Sequence, residues 1–86
     1  MSATVTETEL EAWLSSRVIA YGKVTEGSFT AETPFTELGL DSVYALTLCG
    51  DIEDAYGIEV DSFIVWDHQS IRELAVALAE MIRDAV

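Results

Sequence analysis

From Asp41 to Gly57 the chain reads DSVYALTLCGDIEDAYG, which is a helix together with both of its boundary residues. Asp41 is a favourable N-cap, and Gly57 suits the left-handed position that follows a helix. Apolar side chains recur at helical spacing and predict a core-facing stripe at Ala45, Leu48, Cys49, Ile52 and Tyr56. A second apolar line of Val43, Leu46 and Gly50 lies on a different face of this helix, near its amino end.

A helix is predicted on each side of this stretch. Thr8 followed by Glu11 forms a capping box before apolar residues at steps of three and four, namely Leu10, Trp13, Leu14, Val18 and Tyr21. Ser70 followed by Glu73 forms another, before a stripe at Ile71, Leu74, Ala75, Leu78, Met81 and Ile82. Residues 58–68 favour a short helix, although their first positions alternate as in a strand. The predicted fold is an all-α, small four-helix bundle of three longer helices and one short one, with a long first loop.

The connection between the first two long helices, from Gly22 to Leu40, is unusually long for a compact domain. Its glycines and proline break helices, but it also carries apolar side chains at Phe29, Phe35, Leu38 and Leu40. We therefore expect these side chains to hold the loop over the core, with one short turn at residues 35–38. Residues 1–7 are predicted to be a flexible N-terminal segment, and residues 8–86 a single domain.

Composition excludes several classes of protein. Leu, Ile, Val and Phe make up 25 of the 86 residues, well above the roughly 20% below which chains tend to be disordered. A formal charge of −12 repels phosphate backbones and anionic membranes, so neither nucleic acid nor membrane is an expected partner. No apolar run approaches the length of a membrane span and no signal peptide is visible, which predicts a cytoplasmic protein. The single cysteine, Cys49, permits no internal disulfide.

Catalytic and metal-binding chemistry find little support in the residues. His68 is the chain's single histidine, and a constellation of Ser42, His68 and Asp67 is conceivable, but adjacent residues point in different directions and Asp67 is badly placed to orient His68. Aligning Gly57 with the obligatory glycine of a calcium loop puts apolar residues at ligand positions. We therefore predict no catalytic residue and no metal site.

The charge is unevenly distributed along the chain. No Lys or Arg occurs between Lys23 and Arg72, whereas ten acidic residues lie there. They are Glu26, Glu32, Glu37, Asp41, Asp51, Glu53, Asp54, Glu59, Asp61 and Asp67. An ordinary solvated acidic surface explains this pattern, and so does electrostatic steering onto basic patches of partner proteins.

The sequence Leu38-Gly39-Leu40-Asp41-Ser42 opens the central helix. With Asp41 as the N-cap, Ser42 falls in the first turn, where its hydroxyl can project into solvent. A phosphate on that oxygen would meet free backbone N–H groups and the positive end of the helix dipole. A plain Asp-Ser cap accounts for the same residues.

Three groups of residues resemble the acyl carrier protein family: Thr33-Pro34-Phe35, Glu37-Leu38-Gly39-Leu40-Asp41-Ser42, and Trp66-Asp67-His68 before the last helix. The similarity runs from about Thr8 to Ile82 and is strongest to carrier domains of polyketide synthases. In that family a serine carries 4′-phosphopantetheine taken from coenzyme A, and the thiol of this arm holds acyl chains as thioesters. The resemblance places the attachment on Ser42 and implies that Asp41 contacts the transferase that installs the arm.

Similar carriers present their second helix to partners. Carried over position by position, this implies a docking face of Val43, Leu46, Thr47, Gly50, Glu53 and Asp54. The implied partners are a phosphopantetheinyl transferase, a ketosynthase, an acyltransferase and other enzymes of polyketide or fatty acid synthesis. The resemblance further implies a monomer without catalytic activity of its own. The core stripe beginning at Ala45 could also part to admit a short acyl chain.

Some residues depart from the family pattern. Thr47 and Gly50 stand where many relatives have an acidic and a larger residue, and Gly50 costs the helix roughly 1 kcal/mol relative to alanine. Close approach by a partner or by the first loop would each explain this glycine. Peptidyl carriers of nonribosomal peptide synthetases are the nearest alternative, although Leu40-Asp41 argues against their usual Gly-Gly-His-Ser or Gly-Gly-Asp-Ser core. An unmodified acidic interaction module is an alternative from another class.

Overall fold

A computed structural model describes residues 5–22 and 24–85, which contain four α-helices and one 3-10 turn. The helices are α1 (Glu7–Ala20), α2 (Ser42–Tyr56), α3 (Phe63–Asp67) and α4 (Ile71–Ala85), and the 3-10 turn spans Phe35–Leu38. No strand forms in these two ranges, so the predicted all-α fold with three longer helices and one short helix is confirmed.

The amino end of α1 lies earlier than the sequence pattern predicted. Thr6, rather than Thr8, is the N-cap, and its hydroxyl accepts a hydrogen bond from the Glu9 N–H at 3.1 Å. Both threonines have a glutamate three positions later, but only the earlier cap places Val5 before it and Leu10 at the fourth helical position. Such a pair of apolar residues fixes the entry to a helix, and Val5 packs against the core that contains Leu10.

The other boundaries agree with their signals. Asp41 caps α2, and Gly57 follows it with φ of 70°, as predicted. The Ser70 hydroxyl accepts a hydrogen bond from the Glu73 N–H at 3.2 Å before α4, which continues to Ala85 instead of ending near Arg83. Residues 1–4 of the predicted flexible segment lie outside the described residues, so that expectation stays a prediction.

One hydrophobic core joins the three long helices, and α1 packs along α4. The predicted stripe of α2 lies in this core, with four of its five side chains buried and Tyr56 packed partly against it. Its fully enclosed large side chains include Leu10, Leu14, Val18, Leu48, Ile52, Ile71, Leu74 and Leu78. The second apolar line of α2 is absent from the core, because Val43 and Leu46 face outward.

The long first loop is part of the core rather than a loose connection. Phe35, Leu38 and Leu40 are buried and Phe29 is half-buried, as predicted. The backbone ties the same loop to the start of α4: the Phe35 N–H donates to the Gln69 carbonyl at 2.7 Å, and the Arg72 N–H donates to the Ala31 carbonyl at 2.8 Å. The loop therefore holds the amino ends of α2 and α4 at one end of the bundle.

Polar contacts also connect α1 to α2. The Tyr21 hydroxyl donates to Asp51 Oδ2 at 2.6 Å, and the Arg17 guanidinium lies 3.6 Å from the same oxygen. Burial and the carboxylate partner raise the pKa of the Tyr21 hydroxyl above its usual value, so this group keeps its proton. Asp51 thus belongs to the helix interface, which removes one charge from the exposed acidic surface.

Truncating a side chain should destabilise the protein on the core-facing apolar line of α2 but not on its exposed apolar line. Leu48→Ala empties a fully buried position and should lower the free energy of unfolding by about 2–5 kcal/mol. Leu46→Ala removes the same atoms two residues away from a side chain that is 61% exposed, and should change stability by less than about 0.5 kcal/mol. Urea unfolding followed by circular dichroism measures both. Similar losses for the two variants would contradict the division of α2 into a core face and a free face.

Candidate functional site

Ser42 is the first residue of α2, and the residues before it hold it in place. Gly39 follows the 3-10 turn with φ of 76°, a left-handed conformation that a side chain would strain. Leu40 is buried, and its N–H donates to the Phe35 carbonyl at 3.4 Å. Ser42 itself is exposed, and its side chain makes no hydrogen bond with the described part of the chain. The prediction of a hydroxyl that projects into solvent is confirmed.

Asp41 changes the expected surroundings of that hydroxyl. Its Oδ1 accepts hydrogen bonds from the Val43 N–H at 3.0 Å and from the Tyr44 N–H at 3.1 Å. Of the amides that a phosphate on Ser42 was expected to meet free, those of Val43 and Tyr44 are therefore already used by the cap residue. The helix dipole remains, but the carboxylate of Asp41 lies beside it. The site therefore exposes the Ser42 hydroxyl to solvent and does not form a pocket for an anion.

The six predicted docking residues lie on one exposed face of α2. At 100° per residue they fall within about 140° of Ser42 around the helix axis, on the side away from the core stripe. Val43 is 65% exposed and Leu46 is 61% exposed. We call this surface the α2 face, and its members are Val43, Leu46, Thr47, Gly50, Glu53 and Asp54. Apolar side chains lie nearest Ser42, and two carboxylates lie near the carboxyl end.

Two members of the α2 face also have structural contacts. The Thr47 hydroxyl donates to the Val43 carbonyl at 3.0 Å within the helix. Glu53 Oε2 accepts a hydrogen bond from the Val60 N–H at 3.3 Å, which ties the segment before α3 to α2. Any substitution of Glu53 must therefore keep a hydrogen-bond acceptor if it is to test charge alone.

Gly50 lies in the middle of α2 and is exposed. A Cβ added at this position would meet no atom within 4 Å. Close approach of the first loop therefore does not explain this glycine. This exposed glycine leaves one position of the α2 face without a side chain.

Two large side chains of α3 were missed as surface features by the sequence analysis. Phe63 is 66% exposed and Trp66 is 40% exposed, whereas Val65 is buried. The sequence did contain a signal for this exposure, because the two residues lie three positions apart on a helix of little more than one turn. Such a short helix buries one position and leaves the others exposed. Apolar surface therefore extends beyond α2.

The conceivable catalytic constellation does not form. No hydrogen bond links the side chains of Ser42, Asp67 and His68 within the described residues, and the His68 N–H merely closes α3 by donating to the Ile64 carbonyl. No group of acidic, histidine and cysteine side chains suited to a metal ion occurs within residues 5–22 and 24–85. The acidic residues around Gly57 thus gather into no ligand set there.

Cys49 lies in the core, and its sulfur is 3.6 Å from the Asp61 carbonyl. Burial raises the pKa of its thiol, with Glu53 and Asp61 adding to the effect. A buried thiol that resists ionisation is a poor nucleophile. The protein's own sulfur is therefore unsuited to carrying an acyl group as a thioester.

A helical bundle that presents one serine at a capped helix start, beside an exposed apolar and acidic face, has the architecture of a carrier protein. Residues 13–78 match the family described as phosphopantetheine attachment site. The chain belongs to this family, whose prosthetic group is 4′-phosphopantetheine. No described helix is both long and apolar enough to cross a membrane.

Individual relatives agree with this assignment. The chain is 33% identical over 82 residues to one of the phenolphthiocerol/phthiocerol polyketide synthase proteins of Mycobacterium tuberculosis, covering 95% of this chain and 4% of that protein. It is 24% identical over 79 residues to the acyl carrier protein TtuC of Teredinibacter turnerae, covering 92% and 91% of the two chains. A free-standing peptidyl carrier protein from Acinetobacter baumannii superposes with a TM-score of 0.84 at 28% identity, over 90% of this chain and 96% of the other.

Gly50→Ala should stabilise the protein. Alanine is favoured over glycine inside a helix by about 1 kcal/mol, and open space at this position allows the gain to be realised. Gly57→Ala provides the matched control: it also has open space, but φ of 70° makes the side chain unfavourable. Urea unfolding should therefore show opposite signs for the two substitutions. A loss of stability in Gly50→Ala would mean that this glycine is required by the fold.

Proposed function

We propose that this protein is an acyl carrier in which Ser42 bears 4′-phosphopantetheine. The observation that carries the proposal is the exposed Ser42 hydroxyl at the start of α2, free of side-chain hydrogen bonds to the described chain. In the attachment step Ser42 Oγ bonds to the pantetheine-side phosphorus of coenzyme A. The bond between the two phosphates breaks, adenosine 3′,5′-bisphosphate leaves, and the serine proton is released. When bound, the arm supplies a thiol that forms thioesters.

The residues around Ser42 fit such an attachment. Ser42 is held by a capped helix and a buried loop, so the hydroxyl is fixed in position without being enclosed. Asp41 occupies the nearby amides, and the attached phosphate therefore stays in solvent, where the arm is free to move. We infer that Asp41, exposed beside Ser42, contacts the phosphopantetheinyl transferase.

The α2 face supplies the contact with partner enzymes. Its exposed Val43 and Leu46 can enter apolar depressions on a partner, and Glu53 and Asp54 can pair with basic side chains. Asp54 lies about 18 Å along the helix from Ser42. A partner that binds Asp54 and receives the group on Ser42 therefore has its basic patch about this far from the entrance to its active site. The proposed partners are the transferase, a ketosynthase, an acyltransferase and other synthase enzymes, and the carrier itself acts as a non-catalytic monomer.

The relatives favour acyl over peptidyl cargo. The chain spans about 4% of the polyketide synthase proteins from mycobacteria that it matches, so those proteins' activities are proposals for this one. A peptidyl carrier superposes well, but the matched sequences include polyketide synthases and an acyl carrier protein. We therefore propose that the cargo consists of acyl or polyketide intermediates in the cytoplasm.

Attachment can be tested by intact mass. Incubation with coenzyme A, magnesium and a broad-range phosphopantetheinyl transferase should add one phosphopantetheine to the protein and none to Ser42→Ala. Ser62→Ala is the matched control, because Ser62 is another serine at the start of a helix, directly before α3, and makes no side-chain capping bond. This control should be modified as fully as the unaltered protein. Modification that persists in Ser42→Ala, or its absence from the unaltered protein, would defeat the proposal.

Charge on the α2 face should govern the rate of loading. Glu53→Gln with Asp54→Asn removes two charges while keeping an acceptor for the Val60 N–H, and should slow loading by the transferase about two- to tenfold at low salt. The difference should shrink at high salt because the charges are screened. Initial rates at limiting carrier concentration measure this effect.

The control for this experiment carries the same change of charge elsewhere. Glu80→Gln with Asp84→Asn neutralises two exposed carboxylates on α4 and should leave the loading rate nearly unchanged. Equal slowing in both pairs would show that total charge, rather than the α2 face, attracts the partner.

A further inference from the structure

The fold does not explain why residue 50 is a glycine. The other four glycines of the chain have left-handed φ values between 70° and 84°, a conformation that favours glycine. Gly50 instead lies inside α2, where glycine is less favourable than alanine. A Cβ at this position would meet no atom of the described chain within 4 Å. Neither the backbone conformation nor crowding therefore requires a glycine here, and a reason for it has to be sought outside the free protein.

Gly50 lies at the centre of the α2 face. At 100° per residue it falls about 80° from Ser42 around the helix axis, near the middle of the arc that this face covers. Leu46 precedes it by one turn, and Glu53 and Asp54 follow it by one turn, so exposed side chains surround a position that has none. Because glycine has no Cβ, it permits closer approach of another molecule to the backbone than any other residue.

The neighbours of Gly50 differ in chemistry along the helix. Leu46, on the side towards Ser42, is apolar and 61% exposed. The two carboxylate residues, Glu53 and Asp54, lie about 4.5 and 6 Å along the axis in the other direction. The Val60 N–H donates to Glu53 Oε2 and thereby orients this carboxylate, while Oε1 makes no hydrogen bond within the described chain.

A long basic side chain suits both kinds of neighbour. The methylene groups of arginine or lysine can lie on apolar surface while the cation reaches a polar environment, and here that stem would cross Gly50 beside Leu46. The cation would then meet Glu53 and Asp54. A purely apolar side chain would also fit beside Leu46, but it would remove water from the two carboxylates without pairing with them.

We propose that Gly50 is a specificity-determining position of this carrier. Its missing side chain admits the stem of an arginine or lysine of the docked enzyme, and the cation of that residue pairs with Glu53 and Asp54. A larger residue at position 50 leaves both charges in place but blocks the path of the basic side chain across the helix. This inference rests on the proposed attachment to Ser42 and on docking through the α2 face.

Loading by the broad-range phosphopantetheinyl transferase tests the proposal, with initial rates measured over a range of carrier concentrations. Gly50→Leu should raise the KM for the carrier about tenfold, the effect of forcing an extra side chain into a packed contact. The kcat should stay unchanged, because Ser42 and the residues before it are not altered. Gly50→Ala should raise the KM less. An unchanged or lower KM in Gly50→Leu would overturn the proposal.

Two controls separate this effect from general bulk and from damage to the fold. Ala55 is exposed on the same helix but lies about 140° around the axis from Gly50, outside the α2 face, so Ala55→Leu should leave the KM unchanged. An equal rise in both leucine variants would contradict a specific role for Gly50. Urea unfolding should show both Gly50 variants to be at least as stable as the unaltered protein. Lower stability together with a higher KM would show that the fold needs this glycine and would overturn the inference.

A double-mutant cycle identifies the side chain that crosses Gly50. Gly50→Leu is combined with Glu53→Gln and Asp54→Asn, which remove the charges that the basic side chain is expected to reach. In this neutralised carrier the leucine should raise the KM by about twofold or less, because coupled residues give non-additive effects. A full tenfold rise in the neutralised carrier would show an occupant independent of the carboxylates and would refute the basic side chain.

Intact mass distinguishes failure of this inference from failure of the proposed attachment. Given enough time, the unaltered protein and each Gly50 variant should gain one phosphopantetheine. If the unaltered protein gains none, the attachment to Ser42 and the role of Gly50 both fall. Complete loading with equal KM values for Gly50, alanine and leucine at this position would overturn the role of Gly50 alone.

Discussion

The burial of Phe35 is the constraint on which the placement of the site depends. Only 2% of its surface remains exposed, and its backbone N–H is bonded to Gln69 just before α4. A long connection would otherwise leave the start of α2 free to move relative to the other helices. Because the aromatic side chain and the backbone bond act on the same residue, they fix both the position and the direction of the chain that leads to Ser42.

Along the seven residues from Phe35 to Asp41, the chain passes from side chains buried in the core to the exposed start of α2. Leu38 and Leu40 enter the core, while the left-handed Gly39 between them reverses the chain. Asp41 then satisfies two amides of the new helix. The consequence is an exposed serine whose backbone is fixed by its neighbours and whose side chain makes no hydrogen bond with the described chain, which fits the attachment that we propose.

The surface around this serine combines two kinds of side chain. The α2 face has exposed apolar side chains beside carboxylates, and for the docking role that we propose this composition favours brief, salt-sensitive association with basic partners.

Local patterns in the sequence determined the bounds and the core face of α2, because its cap residues act within the helix and the spacing of its apolar residues defines one face. They also indicated the buried loop, since apolar side chains among helix breakers have few other places to go. They did not distinguish Thr6 from Thr8 as the first cap, because that choice depends on how Val5 packs against the core. The open space at Gly50 and the exposure of Phe63 and Trp66 were likewise decided by the tertiary structure. Each of these depends on which atoms from distant parts of the chain come together, and periodicity along a single helix carries no information about that.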